Sequence, residues 1–201
     1  PMPALIPPAN AASLVEVGQL SRGGLGKIAL APNGQTVAIG SWEGQIQLWD
    51  VGEDDLIVEL DEHTAYISDL EFSPNGRWLA SSSYDGTVRL WDVTTGESVG
   101  SVIHGDKAWS VTFSPDGQTV ASSSLDGSIG VWETTGDITK VIIVHTPGLV
   151  SSVAYSPDSQ SIASGSWNGA VQLWDASTGW LTTAFSGLGE QVADVGFSPD
   201  G

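Results

Sequence analysis

A short motif that recurs about every 42 residues is the feature that most limits how this 201-residue chain can fold. Its copies share a proline followed by Asn or Asp, and they are Ala31–Gly34, Ser73–Gly76, Ser114–Gly117, Ser156–Ser159 and Ser198–Gly201. A tryptophan followed by Asp or Glu repeats with the same period, at Trp49, Trp91, Trp132 and Trp174. Because two independent markers keep one phase, the chain is predicted to consist of repeated structural units.

Within one period, four short segments are separated by turn signals. The segments of the second period are Ile67–Phe72, Trp78–Ser83, Thr87–Asp92 and Ser98–Ile103. Each is too short for a useful helix and is rich in Val, Ile, Ser, Thr or Trp, so each period is predicted to form a four-stranded antiparallel meander. A single sheet of this kind cannot bury both faces, and neighbouring sheets are therefore expected to pack face to face.

The order Ser-Pro-Asp-Gly, Ala-Ser-Ser-Ser, Asp-Gly and Trp-Asp resembles the WD40 repeat family across residues 21–201. The resemblance implies an all-β, partial β-propeller with four four-stranded blades, an N-terminal outer strand and the first strand of a fifth blade. The expected division is a linker at 1–13, an outer strand at 14–20, repeats at 21–60, 61–103, 104–144 and 145–187, and a truncated repeat at 188–201. Since the sequence stops inside a hairpin turn, it is interpreted as a fragment whose open flanks self-associate.

Charge and composition limit the classes of partner. The chain has 24 acidic and six basic residues, a net charge of −18 that repels nucleic acid and anionic membranes but leaves a basic protein or peptide partner open. Without cysteine, it forms neither disulfides nor thiolate metal sites. A soluble protein is expected because no apolar stretch is long enough to span a membrane, while the compartment, cytoplasmic or secreted after loss of an upstream segment, stays open.

In the WD40 family, His, Ser, Asp and Trp form a buried hydrogen-bonded tetrad that pins the strands. The matching residues here are His63, Ser83, Asp85, Trp91 and His104, Ser124, Asp126, Trp132. A hydrolase interpretation of Ser, His and Asp is disfavoured because a repeated motif supplies neither a single pocket nor an oxyanion hole.

The first and fourth repeats depart from this tetrad pattern. The first has Ser21 and Glu43 at the His and Asp positions, and the fourth pairs His145 with Asn168. His63, His104 and His145 are each 41 residues apart and are expected in equivalent places of three repeats. Weaker pinning is therefore predicted for the first and fourth blades.

The family resemblance also places one set of residues on the face made by the loops before each first strand and the turns between second and third strands. This predicted partner-binding set is Trp42, Tyr66, Tyr84, Lys107, Trp109, Leu125, Leu149 and Trp167, with Ser68 and Ser151 beside it. Exposed aromatic side chains are typical interface anchors. Packing of these rings against the neighbouring blade is the alternative.

The resemblance implies a non-catalytic protein–protein interaction scaffold or sensor domain, without catalytic residues, cofactor or metal. It would present a propeller face to protein or peptide partners. The alternative is an enzyme whose active site lies in the central channel of the completed propeller. That alternative requires polar residues that point into the channel and do not repeat from blade to blade.

Overall fold

A computed structural model of the chain describes residues 24–53, 55–134, 140–185 and 189–201. The predicted linker at 1–13, the outer strand at 14–20 and Ser21 lie outside the described residues. Within those ranges the chain forms sixteen β-strands in four sheets and no helix. In each sheet the four strands follow one another in chain order, and each pairs antiparallel with the next.

Each sheet is one blade of the propeller. Blade 1 contains β1 to β4, at Leu25–Leu30, Thr36–Ser41, Ile46–Asp50 and Asp55–Leu60. Blade 2 contains β5 to β8, at Ile67–Phe72, Trp78–Ser83, Thr87–Asp92 and Ser98–Ile103. Blade 3 contains β9 to β12, at Ala108–Phe113, Thr119–Ser124, Ser128–Glu133 and Lys140–His145. Blade 4 contains β13 to β16, at Val150–Tyr155, Ser161–Ser166, Val171–Asp175 and Leu181–Phe185.

These bounds confirm the predicted four-stranded blades, since the four segments expected in the second repeat coincide with β5 to β8. The Pro-Asn-Gly turn between β5 and β6 shows why the motif recurs. Asn75 Oδ1 accepts a hydrogen bond from the Arg77 amide at 3.0 Å, and Gly76 has a φ of 70°, which glycine adopts without strain. In blade 4 the non-glycine residue Ser159 takes the same left-handed position with a φ of 62°.

The hydrophobic core is divided among the interfaces between successive blades. Leu70 and Phe72 on β5 pack with Ile46 and Leu48 of blade 1. Trp91 is a buried member of the same cluster. Equivalent clusters join blade 2 to blade 3 and blade 3 to blade 4. Fully burying each such aliphatic or aromatic side chain contributes about 1.5–3 kcal/mol, so the blades stabilise one another.

The predicted first strand of a fifth blade forms no β-ladder within residues 189–201. The segment nevertheless lies beside blade 4 as β9 lies beside blade 2. Ser151 Oγ donates to the Val192 carbonyl, just as Ser68 Oγ donates to the Ala108 carbonyl at 2.7 Å. A ladder requires a second strand, and no described strand pairs with this segment.

Candidate functional site

The histidine of blade 2 lies in a buried chain of hydrogen bonds. His63 Nδ1 lies 2.8 Å from Asp85 Oδ2, and His63 Nε2 lies 2.7 Å from Ser81 Oγ. The Trp91 indole N–H donates to the same Ser81 oxygen at 2.8 Å. One direction of donation satisfies all three contacts, with the Ser81 hydroxyl donating to Nε2 and the Nδ1 hydrogen donating to Asp85. The group joins the loop before β5 to β6, β7 and the turn between them.

The serine of this group is Ser81, and its assignment to Ser83 from the sequence was wrong. Ser83 Oγ donates to the Ala65 carbonyl at 3.0 Å and accepts a hydrogen bond from the Asp85 amide. Two residues along a strand correspond to about 7 Å, which separates Ser83 from the Trp91 indole. Three consecutive serines end β6, and the register between β6 and β7 determines which of them contacts the Trp91 indole.

Blade 3 repeats the arrangement with Ser122, so the assignment to Ser124 was wrong for the same reason. His104 Nε2 lies 2.8 Å from Ser122 Oγ, and the Trp132 indole N–H donates to that oxygen at 2.7 Å. His104 Nδ1 lies 2.7 Å from Ser128 Oγ. Asp126 accepts hydrogen bonds from the backbone amide of Ser128 and, at 2.8 Å, from the amide of Gly105.

The two turn carboxylates are stabilised in their charged form. Burial acts to raise the pKa of Asp85, but hydrogen bonds from His63 and Thr87 outweigh it and hold that pKa well below its usual range. For Asp126, burial is again opposed by donors, chiefly Ser128 and the Gly105 amide, which lower the pKa to about 2. Both groups are therefore anionic at neutral pH.

The fourth repeat places Thr146, not His145, at the histidine position. The Thr146 amide donates to the Gly127 carbonyl at 2.8 Å, as the His104 amide donates to Gly86. His145 is exposed at the end of β12. The expectation of equivalent histidines was wrong here because the histidine positions of the third and fourth repeats, His104 and Thr146, are 42 residues apart, whereas His63 and His104 are 41 apart. Asn168 Nδ2 donates to the Pro147 carbonyl at 2.9 Å.

The end blades hold their tryptophans with fewer partners. In blade 4 the Trp174 indole N–H donates to Ser164 Oγ at 2.9 Å. In blade 1 the serine position is occupied by Ile39, and the Trp49 indole N–H donates instead to Gln47 Oε1 at 3.2 Å. Glu43, which stands at the Asp position, is exposed.

A second set of residues lies on the upper face, formed by the loops before each first strand and the turns between second and third strands. In every blade the amide of one turn residue donates to a carbonyl of that loop. The pairs are Trp42 to Gly24, Tyr84 to Tyr66, Leu125 to Lys107 and Trp167 to Leu149, at 2.9–3.1 Å. In blades 2 to 4 this repeated hydrogen bond brings two of the predicted partner-binding residues side by side.

Five aromatic side chains of the upper face contact one another in a continuous line, the aromatic row. The ring centroids of Trp42 and Tyr66 are 5.9 Å apart, and those of Tyr66 and Tyr84 are 4.9 Å apart. Tyr84 stacks on Trp109 at 5.5 Å, and Trp109 meets Trp167 edge to face at 5.6 Å. Each ring pair of this geometry contributes about 0.5–1.5 kcal/mol beyond area burial.

Exposure varies along the aromatic row. Trp42 is 64% exposed and Trp167 is 36% exposed, while Tyr66, Tyr84 and Trp109 are half-buried between them. The inner rings pack against each other across the blade boundaries, and the two end rings present surface to solvent.

The first strands line a cavity of about 400 Å³ that sequence analysis did not predict. Its lining includes one position that changes identity from repeat to repeat, as Lys27, Asp69, Ser110, Ser152 and Asp194. The signal was present in the sequence, because these residues follow the 42-residue period apart from one step of 41. The position was not recognised because its residue type changes from one repeat to the next.

The cavity carboxylates of blade 2 bond to blade 3. Asp69 Oδ2 accepts hydrogen bonds from the Val111 amide and from Ser110 Oγ, each at 3.1 Å, and Glu71 Oε2 accepts from the Phe113 amide at 3.3 Å. Burial raises the pKa of Asp69 and raises that of Glu71 to about 7. Within the part of the chain that the structure describes, no group of three or more His, Cys, Asp or Glu residues is placed to hold a metal ion. Over the same ranges, no helix is long and apolar enough to cross a membrane.

Comparison with known proteins agrees with this geometry. The family model of the IFT122 first beta-propeller matches residues 25–201, which cover the four described blades and the segment after them. No curated protein sequence matches the chain. The match and the four antiparallel blades confirm the repeat propeller predicted from the period of the sequence. The chain belongs to the IFT122 first beta-propeller family.

Proposed function

We propose that this chain is a non-catalytic protein-interaction domain and that partner proteins bind its upper face along the aromatic row. The observation that carries the proposal is the continuous contact of five aromatic rings contributed by all four blades. Tryptophan and tyrosine are enriched among the residues that dominate interface binding energy. A row whose inner rings already hold one another loses little conformational entropy when a partner binds.

The tetrads support a structural role for the Ser, His and Asp residues. His63 is buried, and Ser81 is fully buried beneath the strands that it joins. A nucleophile must meet its substrate, and a hydroxyl committed to Trp91 and His63 has no access to one. The same geometry recurs in blade 3, as expected of a structural group that holds the strands of one blade together.

The channel alternative has one observation in its favour, since the cavity does carry the non-repeating polar residues that an active site needs. Those of blade 2 have a structural use, however. Asp69 and Glu71 accept backbone hydrogen bonds from the adjacent blade and so replace strand pairing between sheets. We therefore favour the upper face as the functional surface.

A selection from a random peptide library tests the proposed function. Peptides selected on the wild-type chain are measured against a Trp42→Ser, Trp167→Ser double variant, which removes the two exposed rings of the row. Trp180→Ser is the matched control, since Trp180 is 78% exposed and lies just before the outer strand β16 of blade 4. We expect the double variant to lose the selected peptides and the control to keep them.

Chemical denaturation of the same three proteins guards against unfolding as the cause. The double variant loses two ring pairs of the row, so its free energy of unfolding should fall by about 1–3 kcal/mol while the chain stays folded. Selected peptides that bind the double variant as tightly as wild type would contradict the proposal.

A further inference from the structure

The chemistry of the upper face indicates what kind of partner segment it binds. Lys107 Nζ lies 4.8 Å from the centroid of the Tyr84 ring, so a cation from the chain itself already occupies one aromatic face of the row. An ammonium or guanidinium group over a ring within about 6 Å is attracted by the ring quadrupole. The row is thus shaped to hold a positive charge against a π face.

Acidic residues accompany the row along the upper face. In three of the four turns, the residue whose amide bonds to the entry loop is followed by a carboxylate, namely Glu43, Asp85 and Asp126. The loop before β9 adds the exposed Asp106, directly before Lys107. In the fourth turn, where Asn168 takes this place, the backbone of Glu190 packs closely against Gly169 and brings the exposed Glu190 to blade 4. Carboxylates therefore flank the aromatic rings in every blade.

We propose that the partner segment is rich in arginine or lysine, and that its cationic side chains stack on Trp42 and Trp167 as Lys107 stacks on Tyr84. This inference rests on the proposed function, and it specifies the chemistry of the partner, which the proposed function does not. The two exposed rings supply the faces, and the exposed residues Glu43, Asp106 and Glu190 supply carboxylates that can pair with guanidinium groups. The net charge of −18 adds attraction at long range that salt screens.

Two labelled dodecapeptides provide the probe, one alternating arginine with glycine and serine and the other with glutamate in place of every arginine. Fluorescence anisotropy measures their binding to wild type and to a Trp42→Leu, Trp167→Leu double variant, with Trp180→Leu as the matched control. Leucine keeps apolar area but lacks a π face. Wild type and control should bind the arginine peptide but not the glutamate peptide, and the double variant should bind the arginine peptide about tenfold more weakly.

A Lys107→Ala variant tests the same inference, because here the affinity for the arginine peptide is expected to rise and not to fall. Removal of the lysine exposes the Tyr84 ring and removes a repulsive charge, so the arginine peptide should bind this variant more tightly than wild type. Weaker binding to Lys107→Ala, or equal binding to wild type and the leucine double variant, would overturn the inference. Equal binding would mean that the net charge alone attracts the peptide.

The two proposals fail in distinguishable ways. If library peptides that depend on Trp42 and Trp167 lack arginine and lysine, the proposed interaction face stands and the basic partner is wrong. If no selected peptide depends on those two residues, both proposals are wrong.

Discussion

Blades 2 and 3 hold their tryptophans with a histidine and a serine, whereas blades 1 and 4 hold theirs with one acceptor each. Blades 1 and 2 also differ in how the flanks of their first strands are covered. Leu70 and Phe72 on the first strand of blade 2 are each 6% exposed, while Ile28 and Leu30 at the matching places of blade 1 are 62% and 61% exposed. Identical strand patterns therefore give a core only where another blade covers them.

The comparison shows that stability in this chain resides in the interfaces between blades more than in the blades themselves. Each buried cluster combines residues of two successive sheets, and the polar groups of the inner blades satisfy one another across strands. Blade 1 has the local sequence of a blade but leaves the flank of its first strand exposed, whereas residues 189–201 lie against part of blade 4.

Truncation of the blade tryptophans should give the largest contrast. Trp91→Ala should lower the free energy of unfolding by roughly 3–5 kcal/mol because the ring is 1% exposed, and Trp132→Ala should do the same. Trp49→Ala should cost about 2 kcal/mol because that indole is only half-buried. Urea denaturation measures all three. A cost below about 1 kcal/mol for Trp91→Ala would contradict the assignment of Trp91 as a core residue that stabilises the fold.

Removal of the serine acceptors should also lower the free energy of unfolding more in an inner blade than in an end blade, but by a smaller difference than truncation of the tryptophans. Ser81→Ala leaves the buried Trp91 N–H and His63 Nε2 without their shared partner, and we expect a loss of about 2–3 kcal/mol. Ser164→Ala leaves one indole N–H without its partner and should cost about 1 kcal/mol. Ser83→Ala is the control for the serine assignment and should also cost about 1 kcal/mol. A larger loss for Ser83→Ala than for Ser81→Ala would reverse that assignment.

The interface between blades 2 and 3 should depend on pH through Glu71. Its folded pKa of about 7 lies above the ordinary value of 4.5, so the folded state binds the proton more tightly than the unfolded state. This contribution is fully present below pH 4.5 and is lost as pH rises through 7, by about 3 kcal/mol in total. Denaturation of wild type and Glu71→Gln at pH 5 and pH 8 measures it. An equal pH dependence of stability in both proteins would show that Glu71 is not its source.

Asp85 should act in the opposite direction at acid pH. Its folded pKa is lowered, so its contribution is present above the ordinary value near 4 and is lost as pH falls below it. Asp85→Asn should therefore flatten the acid limb of the stability curve, and Glu43→Gln in blade 1 is the matched control at the same turn position. Identical acid limbs for wild type and Asp85→Asn would contradict the tetrad contacts as a source of stability.

The open flank of blade 1 should give the smallest change in stability and a change in association. Replacement of Ile28 and Leu30 by serine should alter the free energy of unfolding by less than about 1 kcal/mol because both side chains are exposed. We expect wild type to self-associate through such flanks and the variant to do so less, as measured by light scattering across a concentration series. A monomeric wild type at all concentrations would exclude association through this flank.

The repeat period and the strand patterns were sufficient to predict the blades, because side-chain alternation and turn chemistry are local properties of the chain. The segments predicted for β5 to β8 coincide with the observed strands. The upper-face positions came from the family resemblance, and one backbone hydrogen bond recurs at them in each blade. Their joining into an aromatic row did not, because the rings meet across blade boundaries.

Tertiary structure alone decided which polar groups meet. Strand register placed Ser81 and Ser122 beneath their tryptophans, and the alignment of blade 4 placed Thr146 where a histidine was expected. Contacts between sheets buried Glu71 against the Phe113 amide. A sequence period determines where strands form because each strand is specified by nearby residues. The partner of a buried hydroxyl or carboxylate depends on groups that only the packing of separate strands and blades brings within about 3 Å.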